Sequence, residues 1–338
     1  MVATTFPSLT TPEAVISLQW VGDDRLVVAG VSGMGLYERK GNLLASAPEG
    51  ARRLAWSPGA AFVRYLKAHP EMVECSSPCD WDWATQSIRK ADPGVYYSMC
   101  CTYDRVGNFV HGGELYDWGF WTGIDQKGDR IVGTTHIPIL FDLAFSPDGA
   151  WLLTGGRRSH LAIWAFPPEH PSQPSHGDKV FQPGAGIVTS VAWSDSGKHI
   201  AAGLVTGKVE VWEVESSQMV AEININLQEF DTSGQIRKIR FVPGAEGLML
   251  ASTNYSTTVI NWREKRIISE AVQWNCFDLS PSGKEIALGN TEGAVCILDL
   301  AYLESRDDMV YEAGRSVFKS EPRFSPVNSV TNYQSGSI

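Results

Sequence analysis

The sequence predicts an all-β chain, a seven-bladed β-propeller of four-stranded antiparallel blades, on three observations: a recurring apolar cassette, its spacing, and a turn that recurs inside it. The cassette is a strand with large apolar residues at i, i+3 and i+5, a tight polar turn, a second apolar strand ending in small residues, and a third ending in an aromatic. Four copies open with Leu140, Leu143, Phe145; Val188, Val191, Trp193; Ile236, Ile239, Phe241; and Trp274, Phe277, Leu279. A fifth opens with Val15, Leu18, Trp20, and two weaker ones with Ala51, Leu54, Trp56 and Tyr96, Met99, Cys101. With the last residue of each trio as anchor, successive copies stand 36 to 48 residues apart, the interval of a unit made of four short strands. A second register agrees: the third strand closes 17 to 21 residues after the anchor, at Tyr37, Cys75, Trp118, Trp164, Trp212, Trp262 and Leu298.

The turns join first to second strands. Ser146-Pro147-Asp148-Gly149, Ser194-Asp195-Ser196-Gly197 and Ser280-Pro281-Ser282-Gly283 offer Pro for a fixed φ, a short polar side chain for a local cap, and Gly for positive φ. Strands such as Val209-Glu210-Val211-Trp212 and Ile286-Ala287-Leu288-Gly289 carry apolar residues toward both faces of their sheet. One sheet alone cannot bury both faces; radial stacking hides each against a neighbour, and a closed ring leaves only short edges. Closure needs a terminal strand, and Thr4–Leu9 is preferred over Met309–Lys319. The expected organisation is a segment 1–13 supplying that outer strand, a propeller over 14–303, and a polar tail over 304–338.

These residues resemble the WD40-repeat family, over about 14–300, most closely from Leu143-Ala144-Phe145-Ser146-Pro147-Asp148-Gly149 through Ile163-Trp164. Family repeats often pair a Gly-His before the first strand and an Asp in the turn before the third with a Ser/Thr and the Trp, in a hydrogen-bonded tetrad. Trp164, Trp212 and Trp262 are present, but the turns read Arg157-Arg158-Ser159-His160, Val205-Thr206-Gly207-Lys208 and Tyr255-Ser256-Thr257-Thr258, with no Asp. The resemblance therefore implies degenerate blades that depend more on apolar packing than typical members do.

Composition narrows the function. With 28 Lys+Arg against 38 Asp+Glu the net charge is −10, which repels phosphate backbones and anionic lipid, so direct nucleic-acid binding is not expected. No run approaches the ~18 apolar residues that cross a bilayer, and the start has neither a basic region nor an apolar one like a secretory leader; a cytoplasmic protein without membrane insertion is expected. Six cysteines in 338 residues are too sparse for a disulfide framework. No phosphate-cradling glycine motif, His-Glu-x-x-His or Gly-x-Ser-x-Gly occurs. No catalytic residue, cofactor or metal is assigned; Cys75, Cys79, Cys100 and Cys101 could offer thiolates to zinc, but Cys75 and Cys101 fall in buried columns of the repeat, so packing is the preferred role.

What remains is binding. In such a ring the loops between second and third strands, and between consecutive blades, gather around the axis on one face. Glu71, His136, Arg157, Arg158, His160, Phe230, Asp231, Asn254, Tyr255 and Glu292 fall there, and the family resemblance implies that this face receives partner peptides. Trp81 and Trp83, in an insertion after a third strand, and Trp121 lie off the structural column and could stack on a sugar or anchor a peptide. The expected function is a non-catalytic scaffold for protein or peptide partners. The alternative is a propeller enzyme, or a small-ligand or carbohydrate binder, using the axial channel, where Asp142 and Asp278 are scattered acidic candidates, or an aromatic surface.

Overall fold

The computed structural model describes residues 9–300, apart from position 12 and the stretches 68–76, 92–96, 116–117, 125–129, 135–138, 168–176, 185 and 226–233, together with 311–312 and 315–316. The chain forms seven four-stranded antiparallel sheets, six of them paired in chain order from an inner to an outer strand, and among the described residues no α-helix lies between Leu9 and Asp299. The inner strands of blades 1 to 7 are Ser17–Trp20, Ala51–Ala55, Tyr97–Tyr103, Leu140–Phe145, Val188–Trp193, Lys238–Phe241 and Trp274–Leu279. Blade 7 takes its outer strand from the beginning of the chain: Leu9–Thr10 pairs with Ala294–Asp299, Leu9 opposite Val295 and Thr10 opposite Ala294. The tail expected over 304–338 lies outside the described residues, save the short antiparallel pair Tyr311–Glu312 and Arg315–Ser316.

The predicted turns form as their chemistry dictates. Gly149, Gly197 and Gly283 sit at φ 75°, 68° and 69°, a region costly for any residue with a Cβ. Each donates its N–H to the carbonyl of the turn's first serine at 2.8–2.9 Å. Those serines cap the returning strand: Ser146, Ser194 and Ser280 Oγ accept the N–H groups of Trp151, His199 and Glu285 at 3.0–3.1 Å.

Six apolar clusters fill the gaps between blades. One joins blades 4 and 5 through Leu153, Leu161 and Ile163 against Val188, Val191 and Ile200; another joins blades 7 and 1 through Ala287, Val295 and Ile297 against Val15, Leu18 and Trp20. The others seal blades 1–2, 3–4, 5–6 and 6–7. Among the described residues no such cluster joins blades 2 and 3. There the strand Phe62–Lys67 turns Arg64 toward blade 3. Its guanidinium donates to both Asp80 oxygens at 2.6 and 3.0 Å and lies 4.3 Å from the Phe109 ring centroid, with Tyr103 at 5.6 Å. Burial works against the Arg64 charge, yet the Asp80 carboxylate overrides it and holds the pKa above its usual value.

Three register expectations are corrected. In blade 3 the third-strand position opposite Phe109 is Ile124, and not Trp118, which pairs with Leu115 at the other end of the strand. In blade 2 the residue in the third-strand column is Trp81, opposite Val63 on Cys79–Asp82, and not Cys75, which lies outside the described residues; the second-to-third connection is longer than the repeat average. In blade 3 the anchor is Tyr103, opposite Phe109, and not Cys101: the trio in register is Ser98, Cys101 and Tyr103, and its polar first member leaves the apolar pattern to be read two residues too early.

Candidate functional site

Seven inner strands surround an axial channel, and the repeat register decides what faces each mouth. The anchors Trp20, Trp56, Tyr103, Phe145, Trp193, Phe241 and Leu279 all line one mouth. The opposite mouth, on the side of the second-to-third-strand turns, is lined by residues from the starts of the same strands, around a cavity of about 480 Å³. Five of the seven strands carry a bulge there, at Arg52, Met99, Phe141, Thr189 and Asn275, and all five residues line the cavity. A bulge leaves one residue out of the ladder and re-aims its side chain; here it does so repeatedly toward the axis.

Hydrogen bonds between inner strands tie blade to blade. Ser190 Oγ and the Val191 N–H donate to Asp142 Oδ2 at 2.7 and 2.9 Å, and the Ile239 N–H donates to Ser190 Oγ at 3.1 Å, joining blades 4, 5 and 6. Lys238 Nζ donates to Asp278 Oδ1 at 2.7 Å, and the Trp20 N–H donates to Asp278 Oδ2 at 2.9 Å, joining blades 6, 7 and 1. Burial pushes the Lys238 ammonium below its usual pKa, and Asp278 pulls it part of the way back. The two acidic candidates of the channel thus hold neighbouring blades together through both charge and geometry, and they do not converge on a common point.

The candidate rim residues divide into groups. Arg157, Arg158, Asn254, Tyr255 and Glu292 are exposed on second-to-third-strand turns of blades 4, 6 and 7, Tyr255 at 57%. Arg157 and Asn254 meet at the channel mouth, where Arg237 donates to Asn254 Oδ1 at 2.9 Å. Glu71, His136, Phe230 and Asp231 lie outside the described residues. His160 is not a surface residue: at 3% exposure its Nε2 lies 2.8 Å from Thr154 Oγ1. The aromatic-surface expectation is likewise corrected, since Trp81 is 1% and Trp121 0% exposed, both packed between blades. Trp83 is half-buried, edge-on to Trp81 at 6.4 Å between ring centroids, at the turn toward the outer strand. The thiols are packing groups: burial raises Cys79 and Cys100 and pushes Cys101 up to about 12. Among the described residues no three His, Cys, Asp or Glu side chains are grouped to hold a metal ion.

The family profile described as "WD domain, G-beta repeat" matches residues 131–165 and 179–213, the stretches that end in the third-strand columns Trp164 and Trp212, on seven sheets of the matching architecture. Two blades of the chain match the WD40 repeat. Among the relatives the chain matches, the probable U3 small nucleolar RNA-associated protein 18 of Schizosaccharomyces pombe is 23% identical over 186 residues, 52% of this chain and 34% of that protein. WD repeat-containing protein 1-B of Xenopus laevis is 26% identical over 184 residues, 52% of this chain and 28% of that protein. The chain thus aligns with about a third of the length of these relatives, or less. One WD40 feature survives in altered form: in blade 4 the Trp164 indole N–H donates to Thr154 Oγ1 at 2.8 Å, and His160 completes the chain from the turn before the third strand.

Sequence reading missed the basic residues of the channel. Arg52, Arg53, Arg237, Lys238 and Arg240 stand within four positions of their anchors, in repeats nearly two hundred residues apart. The signal was a basic pair three and four residues before the anchor in two repeats, Arg52-Arg53 and Arg237-Lys238, with Arg240 one residue before its anchor.

Proposed function

We propose that the chain is a non-catalytic WD40 platform whose second-to-third-strand turns present a binding rim for a protein or peptide partner. The observation that carries this reading is the exposed set Arg157, Arg158, Asn254, Tyr255 and Glu292 held on a ring whose ends are joined by strand pairing. Groups fixed on stiff blades lose little conformational freedom on association, so more of the contact energy appears as affinity. Tyr255 supplies a large, rigid contact and the arginines supply directed donors, the residue types that dominate interface energetics. WD40 proteins generally act through partners and not through chemistry of their own, and no helix among the described residues is long and apolar enough to cross a membrane. The Schizosaccharomyces pombe relative is named for its association with U3 small nucleolar RNA; at a net charge of −10, this chain would join such an assembly through protein contacts. Unpaired thiols among the described cysteines accord with a reducing compartment, and cytoplasmic residence is part of the reading.

The test is affinity capture from a lysate with the wild type, Arg157→Glu/Arg158→Glu, Tyr255→Ala, and Trp83→Ala on the opposite face. Loss of the same partners from the first two variants, by about tenfold or more, with Trp83→Ala retaining them, is the expected result. Equal recovery by all four would remove the rim.

A further inference from the structure

The axial channel runs against the charge of the molecule. In a chain of net charge −10, the mouth beside the rim is lined by Arg52, Arg53, Arg157, Arg237, Lys238 and Arg240. Asp142 is the one carboxylate among the described residues of that lining, and it already accepts from Ser190 and Val191. Lys238 is engaged by Asp278. Arg53, Arg157 and Arg240 pair with no carboxylate among the described residues. The cations come from blades 2, 4 and 6, on alternate sides of the ring, so they surround the cavity. Burial, and after it the nearby Arg53 guanidinium, hold Arg237 below its usual pKa.

We propose that this mouth is a binding site for a compact, multiply phosphorylated small molecule. Five of the six cations are arginines, whose planar forks match phosphoryl oxygens two at a time. Their convergence on about 480 Å³ suits an anion that presents phosphates in several directions from one small frame. An extended peptide, rising about 3.3 Å per residue with side chains alternating in direction, meets such a ring on one side at a time. A bound polyanion offsets the repulsion among these cations, and the focused positive potential draws the ligand in despite the negative surface.

Titration of the full chain with myo-inositol hexakisphosphate as the probe, by calorimetry at about 0.15 M salt, tests this. The expected result is saturable binding near one equivalent, a raised thermal midpoint, and affinity that falls as salt rises. Arg53→Gln/Arg240→Gln weakens binding by about tenfold or more, as expected for lost guanidinium–phosphate pairs. Lys198→Gln/Lys284→Gln, which removes the same two positive charges from exposed positions on the opposite face, leaves it unchanged. Should Arg53→Gln/Arg240→Gln fail to fold, Arg240→Gln alone is read in its place, expected to weaken binding in the same direction. No heat and no thermal shift with the wild type overturns the proposal, as does equal weakening by the channel and opposite-face variants. A doubly phosphorylated peptide binding more tightly than the probe overturns the assignment to a small molecule. Because no readout involves a captured protein, failure here leaves the rim of the preceding section standing, and failure of the rim leaves this site standing.

Discussion

The joint between blades 4 and 5 and the joint between blades 2 and 3 do the same mechanical work with different chemistry. The first interdigitates Leu153, Leu161 and Ile163 with Val188, Val191 and Ile200, a contact whose worth grows with the apolar area it hides. The second places a bidentate Arg64–Asp80 pair under the rings of Phe109 and Tyr103. A buried ion pair gains little over a hydrocarbon filling, because desolvation offsets most of the attraction. Blades 2 and 3 nevertheless hold their places, and the reason is the ring: each is anchored on its other side by an apolar cluster. A closed array therefore tolerates one polar joint that an open stack would not.

Breaking the polar joint has the largest expected effect. Arg64→Ala leaves Asp80 buried with, among the described cations, only the more distant Arg89, at 3.4 Å, and is expected to cost about 3–5 kcal/mol by urea denaturation. The paired change Arg64→Met/Asp80→Leu is expected to return to within about 1 kcal/mol of the wild type or to exceed it. If Arg64→Ala costs no more than an exposed substitution, the charge is not what holds this joint. A smaller effect is expected in the regular half: Thr154→Val keeps the shape but leaves the buried Trp164 indole N–H without its acceptor, a loss of about 1–3 kcal/mol. Trp164→Phe in the Thr154→Val background should then cost less than it does alone, the signature of a shared hydrogen bond.

The smallest expected effect concerns a buried charge in the regular half. Glu210 accepts the Gly184 N–H at 2.9 Å, and burial raises its pKa above the usual carboxylate value. The folded chain therefore keeps this proton at pH values where the unfolded chain has released it, and stability from this group is lost as pH rises through that window. The urea midpoint of Glu210→Gln relative to wild type should accordingly climb as pH is raised from about 4 toward 7. A constant difference across that range would show that the carboxylate is relaxed in the fold.

Legibility in the sequence followed the same division. Blades 4, 5 and 7 declare themselves because a turn of Ser and Gly fixes the register between two apolar strands, so the spacing survives intact. Blades 2 and 3 misled for different reasons: a long connection precedes Trp81, and the in-register trio of blade 3 opens on polar Ser98, so the apolar pattern is met two residues early. Cysteine compounded this: Cys75 and Cys101 are apolar enough to fill a column on paper. Arg64 was visible as a charge in the middle of Phe62-Val63-Arg64-Tyr65-Leu66, yet its partner Asp80 belongs to a strand whose register had slipped. Of the rim, exposure was legible at turns, whereas His160 went inward because a neighbouring Thr154 hydroxyl offered it a partner across the strands, a contact that one-dimensional spacing does not show. The channel cations escaped for a related reason: charge pooled from three blades is a property of the ring.

The pairing of Leu9 with Val295 sets an order of events during biosynthesis. The strand that finishes the last blade leaves the ribosome first, and at about 5–20 residues per second its partner follows roughly 15–60 s later. Through that interval six blades can be assembled while the circle stays open and the earliest-made segment waits unpaired. A strand made ahead of the first blade is the one that completes the seventh.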